Sequence, residues 1–180
     1  HAVPPTPQFY AALVDAGLYG EGATPPKTTY FDYGVNETEP ARHESLVLGA
    51  VAHVESLLAQ LPAVNAIGGI CDGGLVAAVV AARNPARFSL LINCCGTGVY
   101  ALPPSVRDGL GVIGVPSVHL LGLTDTLLSD EKLYSIPSRC SHATVLRHQQ
   151  GHVVPMLTRT LKASLRRALA SAAGRAPDAA

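Results

Sequence analysis

One reactive side chain set among glycines fixes the chemistry this chain could carry. The run Gly68-Gly69-Ile70-Cys71-Asp72-Gly73-Gly74 precedes the small-residue stretch Leu75-Val76-Ala77-Ala78-Val79-Val80. A strand that turns sharply into a helix and pushes one nucleophile out at the turn has this composition. The strained backbone at such a residue crowds the positions two before and two after it, so Gly69 and Gly73 are expected to be demanded by space. Serine is the usual occupant, and here the position holds Cys71. A thiol attacks as its thiolate, which needs a base within reach, and the base needs an acceptor on its other ring nitrogen.

Two later stretches offer those groups. Leu121-Gly122-Leu123-Thr124-Asp125 sets a carboxylate just past an apolar run, and Arg147-His148-Gln149-Gln150-Gly151-His152 sets two imidazoles past another. In a doubly wound sheet, functional groups sit on loops beyond the C-terminal ends of the strands, where both stretches fall. The order nucleophile, acid, histidine is that of α/β-hydrolases rather than of the chymotrypsin or subtilisin arrangements. Of the two imidazoles, His152 is the candidate base, while His148 is expected to pack at the strand end with its hydrogen bonds satisfied. The backbone N–H of Asp72 could donate to an oxyanion, whereas its carboxylate, if close, would disfavour the thiolate.

The other chemistry-bearing residues have simpler readings. Cys94 and Cys95 end an apolar run and read as small core residues; Cys140 and His142 have no further ligands nearby in sequence, so no metal site is expected. His43 and His53 lie on a long helical pattern and read as surface or interface residues, and Asp32 either lines the cleft or caps a turn. Neither Gly-x-Gly-x-x-Gly nor Gly-Lys-Ser/Thr occurs, so the glycines do not announce a nucleotide site and no cofactor is called for.

The elements that must position these groups follow from periodicity. Residues 8–16 read as a short helix, 28–33 as a strand, and 41–61 as an amphipathic helix with apolar residues at Leu46, Val47, Ala50, Val51, Val54, Leu57 and Leu58. Residues 66–70 form the strand into the turn and 73–82 the helix out of it; 88–93 and 115–123 are apolar strands suited to a sheet covered on both faces. A short helix at 130–136, a strand at 143–147 and a last helix at 153–172 complete the alternation. Strands alternating with helices require a doubly wound, mainly parallel α/β sheet with helices on both faces. At 180 residues and 48% hydrophobic, the chain suits one α/β domain, with residues 1–7 and 173–180 expected to be flexible.

The formal net charge is zero and aromatics are few, which argues against nucleic-acid binding. Arg159, Lys162, Arg166, Arg167 and Arg175 gather near the C-terminus and read as a solvated helix face, with a docking surface for an acidic partner as the alternative. No apolar run reaches the roughly 18 residues a membrane span needs. Four cysteines without a Cys-x-x-Cys pattern favour a reducing compartment, cytoplasmic or organellar, over a disulfide framework.

The sequence resembles the FSH family of eukaryotic serine hydrolases, which includes ester- and thioester-cleaving enzymes of fungal polyketide pathways. The likeness runs over about residues 31–157 and rests on the Gly68–Gly74 turn, on Val115-Pro116-Ser117-Val118-His119-Leu120-Leu121-Gly122-Leu123-Thr124-Asp125, and on His148-Gln149-Gln150-Gly151-His152-Val153-Val154-Pro155. It implies an α/β-hydrolase fold with Cys71 as nucleophile, Asp125 as orienting acid and His152 as general base. The family carries serine followed usually by glutamine at the turn; this chain carries Cys71 and Asp72, and Cys-His-Asp triads resemble those of dienelactone-hydrolase-type enzymes. The family also opens with a strand and a His-Gly loop that supplies a second oxyanion donor; no such segment precedes Gln8, so the first strand of the fold is expected to be lacking and a sheet edge open to another polypeptide. Two readings stand: a hydrolase of small acyl esters or thioesters working through an acyl-enzyme, and a catalytically degenerate hydrolase fold serving as a scaffold in a larger assembly.

Overall fold

The computed structural model describes residues 40–174 of the chain. It begins with helix α1 (Pro40–Ala59), opened by a proline whose missing N–H has no partner to lose at that position. Val47, Ala50, Val51 and Leu58 recur at helical spacing and form the buried face of α1. His43 lies on that face too: it is buried within the domain and its Nε2 donates to Ala101 O at 2.8 Å, rather than lying at the surface or at an interface as expected from sequence. The Arg87 guanidinium caps the far end of the helix, donating to Leu58 O at 2.6 Å and Leu61 O at 2.8 Å.

Four strands follow in chain order: β1 (Ala66–Ile70), β2 (Leu90–Cys94), β3 (Ser117–Gly122) and β4 (Ala143–His148). They lie side by side in that same order and every pairing is parallel, with Ile70 opposite Cys94, Cys94 opposite Leu120, and Gly122 opposite His148. This register brings the C-terminal ends of all four strands to one side. β3 is buried along its whole length, which requires cover on both faces, whereas β1 alternates between exposed and half-buried positions. Among the described residues β1 pairs with β2 alone.

Helix α2 (Asp72–Arg83) leaves the end of β1 directly and packs on β1 and β2, with α1 against its outer side. Between β2 and β3 lies a short helix α3 (Pro104–Gly109), with Pro104 in its first turn; α4 (Asp130–Tyr134) precedes β4. The last helix, α5 (Arg159–Ala173), packs on β3 and β4. It begins six residues later than expected. Pro155 breaks the apolar stretch after His152, and Thr158 caps the helix by accepting from Leu161 N at 3.2 Å. The expected helix at 8–16 and strand at 28–33 lie outside the described residues.

Val47, Val51, Leu75, Val79, Phe88 and Leu91 form the centre of one apolar cluster under α1 and α2. Truncating a fully buried member such as Leu91 to alanine costs about 2–5 kcal/mol. A second cluster, built on Cys94, Cys95, Leu120, Leu121, Leu128 and Leu133, lies under the strand ends that carry the reactive groups. No helix among the described residues is long and apolar enough to cross a membrane.

Candidate active site

Cys71 occupies the turn between β1 and α2 with φ 53° and ψ −128°, a conformation that side-chain-bearing residues rarely adopt. Backbone bonds hold it there: Cys71 N donates to Cys94 O at 3.1 Å, while its own carbonyl accepts from Gly74 N at 3.0 Å and Thr97 N at 3.3 Å. A Cβ at Gly69 would run into the Gly73 carbonyl, as a tight turn requires. Gly73 departs from expectation, because a Cβ there meets nothing within 4 Å. The second position closed by space is Gly74, whose Cβ would strike the Asn93 side chain. Sterics therefore demand glycine before the thiol and one residue later than expected after it.

Asp125 follows β3 in a loop that its own side chain stabilises. Oδ1 accepts from Leu127 N at 2.9 Å and Leu128 N at 3.0 Å, which leaves Oδ2 for His152 Nδ1 at 2.8 Å. Both side chains are sealed from water, 2% exposed for His152 and 1% for Asp125. His152 sits on the loop after β4, and Gly122 explains how that loop comes so close. A Cβ at Gly122 would collide with the carbonyls of Gln150 and Gly151, so the Gly-x-x-Asp spacing clears the path for the histidine as well as ending the strand.

The electrostatics follow from the pairing. Burial alone would push the His152 pKa down, but the hydrogen bond to Asp125 and the neighbouring Cys71 thiol, which acts on the same ring, raise it to about 10. Burial works to raise Asp125, and the bonds from His152, Leu128 and Leu127 overcome it and hold the carboxyl below its usual value. With Nδ1 committed to Asp125, Nε2 is the nitrogen left to face Cys71, and it is buried without a hydrogen-bond partner of regular geometry among the described residues. Such bonds are often long or misaligned in an unliganded site and tighten around substrate.

Asp72 is buried, and Thr97 Oγ1 donates to its Oδ1 at 2.9 Å, so its carboxylate is anchored toward the loop after β2. Its N–H opens α2, where the first amides of a helix have no partner within the helix. His148 is buried as expected but not satisfied, since neither ring nitrogen has a hydrogen-bond partner among the described residues. Cys94 and Cys95 are buried core residues; Cys95 has φ 44° and its sulfur lies under Asp125 and His152. Cys140 and His142 have no partner ligands and join no metal-binding cluster among the described residues.

Tyr100 belongs to the site and went unnoticed in sequence. Burial, and then the charges of Cys71, Asp72 and Asp125, push its pKa up to about 12, which places the phenol within electrostatic reach of all three. Its ring is braced by Lys132, with Nζ 4.9 Å from the centroid. Nothing in the sequence distinguishes this tyrosine from five others, because only the folding of residues 96–101 brings it to the strand ends.

A thiol at a strand–helix turn, followed by an acid after a later strand and its bonded histidine after the last, is the layout of the α/β-hydrolase class. The chain belongs to the family described as Serine hydrolase (FSH1), which matches residues 7–164. It is 30% identical over 115 residues to the Esterase OVCA2 of Bos taurus, covering 59% of this chain and 49% of the relative, so the chain spans about half the length of that protein. Among solved structures it is similar to one reported with the metagenome-derived lipolytic enzymes LipS and LipT, with a TM-score of 0.52, 13% identity, and coverage of 97% of this chain and 91% of that one. That likeness concerns the fold.

Proposed function

We propose that the protein hydrolyses small carboxylic esters or thioesters through an acyl-enzyme on Cys71. The observation that carries this reading is the 2.8 Å bond from His152 Nδ1 to Asp125 Oδ2, which leaves Nε2 free to exchange a proton with the thiol. Membership of a serine hydrolase family and similarity to an esterase support it. His152 takes the proton of Cys71, and the resulting thiolate attacks the acyl carbon. The carbonyl oxygen becomes an oxyanion, and the Asp72 N–H is its donor in this scheme. His152 then gives its proton to the departing alkoxide or thiolate, leaving a thioester on Cys71. Water, deprotonated by His152, attacks that thioester; the acid departs and Cys71 regains its proton from His152. Ile70, Leu123 and Val154 each lie within two residues of one of the three groups and are exposed, 36%, 43% and 64%, which suits an apolar acyl chain.

A panel of p-nitrophenyl and thiol esters tests the reading, read alongside saturable labelling by iodoacetamide. The expected result is turnover and fast labelling of Cys71, both lost in Cys71→Ala, with labelling slowed in His152→Ala. Labelling of Cys71 no faster than of half-buried Cys140, with no turnover on any ester, would overturn it. A second reading, a hydrolase fold acting as an assembly subunit, is favoured by β1 pairing with β2 alone among the described residues, an edge on which another polypeptide could add a strand. A stable monomer on sizing would count against it.

A further inference from the structure

The sulfur under the acid–base pair has no part in that chemistry. Cys95 Sγ, a carboxylate oxygen of Asp125 and a ring nitrogen of His152 all lie within 4.8 Å of one another. Thiolate, imidazole and carboxylate together make a ligand set typical of zinc, and thiolate selects soft or borderline cations over magnesium and calcium. We propose that Cys95, Asp125 and His152 form a buried site for a soft divalent cation such as Zn²⁺, and that filling it disables the base.

The geometry is close to what the ion requires. Metal–ligand bonds of about 2.0–2.3 Å at tetrahedral angles set the ligand atoms about 3.3–3.8 Å apart, so the three need to move by roughly an ångström or less. Cys95 is already fixed in place, with N donating to Leu120 O at 2.9 Å. Among the described residues its thiol has weak partners to give up, Leu120 O at 3.6 Å, Gly151 O at 3.9 Å and the neighbouring Cys94 thiol. The charge also balances. A dication with one thiolate and one carboxylate sums to zero, which makes the buried position tolerable.

The consequence for His152 follows from proton accounting. The cation replaces the proton on Nδ1, the Cys95 thiol releases its own proton to solvent, and the ring is left as a neutral imidazole with its one remaining proton on Nε2. Nε2 is the nitrogen that exchanges a proton with Cys71. With the cation on Nδ1 the ring cannot hold a second proton and no longer cycles between imidazole and imidazolium, and the cation takes over the carboxylate oxygen that orients it. No sequence motif marks such a site, because its ligands are spread over residues 95, 125 and 152, each on a different loop.

Binding is tested by equilibrium dialysis of the full chain against Zn²⁺, with CD to confirm folding of each variant. We expect one equivalent bound by the wild type and by Cys71→Ser, weakened by about tenfold or more in Cys95→Ala and Cys95→Ser. With Cd²⁺ as probe, ultraviolet thiolate-to-metal absorption should appear in Cys71→Ser and vanish in Cys95→Ser. Binding unchanged in any folded variant lacking the Cys95 sulfur overturns the site, as does binding lost in Cys71→Ser, which would assign the metal to the nucleophile. The inhibition arm rests on the proposed hydrolase activity: ester turnover should fall with Zn²⁺, return with EDTA, and be about tenfold less sensitive in Cys95→Ser. If the chain shows no turnover, the dialysis still decides the metal site by itself.

Discussion

His152 and His119 are both buried, and the protein treats them in opposite ways. His119 lies in the middle of β3, where its Nδ1 accepts from Asn93 Nδ2 at 3.2 Å and its Nε2 bonds Ser117 Oγ at 2.9 Å. All of its partners are neutral, and burial pushes its pKa down to about 4. His152 lies one loop beyond the sheet against a carboxylate, and its pKa is raised to about 10. Burial opposes charge at both sites; the difference is the Asp125 carboxylate, held in place by two backbone amides, together with the neighbouring Cys71. One histidine is a fixed neutral rivet between strands, and the other is equipped to carry a proton.

The largest expected effect comes from erasing that difference. Asp125→Asn leaves His152 with a neutral partner like those of His119, and we expect ester turnover to fall on the order of 10³- to 10⁴-fold. The wild-type pH–rate profile should show an alkaline limb near pH 10, where the imidazolium that protonates the leaving group loses its proton; in Asp125→Asn this limb should move down. An unmoved limb would show that the carboxylate does not set the behaviour of the ring.

Gly122→Ala tests position rather than charge. The added methyl group meets the Gln150 and Gly151 carbonyls and must displace the loop that carries His152. A displacement on the order of 1 Å predicts a loss of about 100-fold in turnover. Full activity in this variant would mean the loop tolerates more movement than the packing indicates.

The rivet is tested by stability. His119 has a folded pKa of about 4 against an ordinary 6.5, so between these values the unfolded chain binds more protons. Stability should therefore fall as pH drops from 6.5 toward 4, by up to roughly 3 kcal/mol. His119→Gln should flatten this limb in urea titrations, whereas His152→Ala should leave it in place. The smallest effect is expected at Thr97→Val. It deprives buried Asp72 of the 2.9 Å bond from the hydroxyl and should lower unfolding free energy by about 1–3 kcal/mol in the same assay.

The sheet was legible in the sequence because its strands are short apolar runs between glycines and prolines; β1 matches residue for residue, and β2, β3 and β4 shift by two residues or fewer. The positions of Asp125 and His152 relative to the sheet were legible for the same reason, since each lies in the loop that follows a strand. What could not be read depends on contacts between distant loops. Cys95 comes within 4.8 Å of the acid–base pair, which lies 30 and 57 positions further on, and Tyr100 comes under the electrostatic influence of Cys71 only once its loop is folded. Alternating burial on α1 was visible, yet His43 was misplaced because its partner, the Ala101 carbonyl, lies 58 residues further on. The late start of α5 was signalled by Pro155 and Thr158, and an apolar run through Leu157 masked it.

The side-by-side order of the strands carries a consequence for how reactivity arises during synthesis. Each strand of the described sheet docks on the one made just before it, so a nascent chain can complete the thiol-bearing turn while the segment after β4 is still within the ribosome. Until that segment emerges, the sulfur has no imidazole beside it and is an ordinary cysteine. On the proposed chemistry, competence is thus conferred by the segment after β4, and a chain stalled short of it is left unarmed.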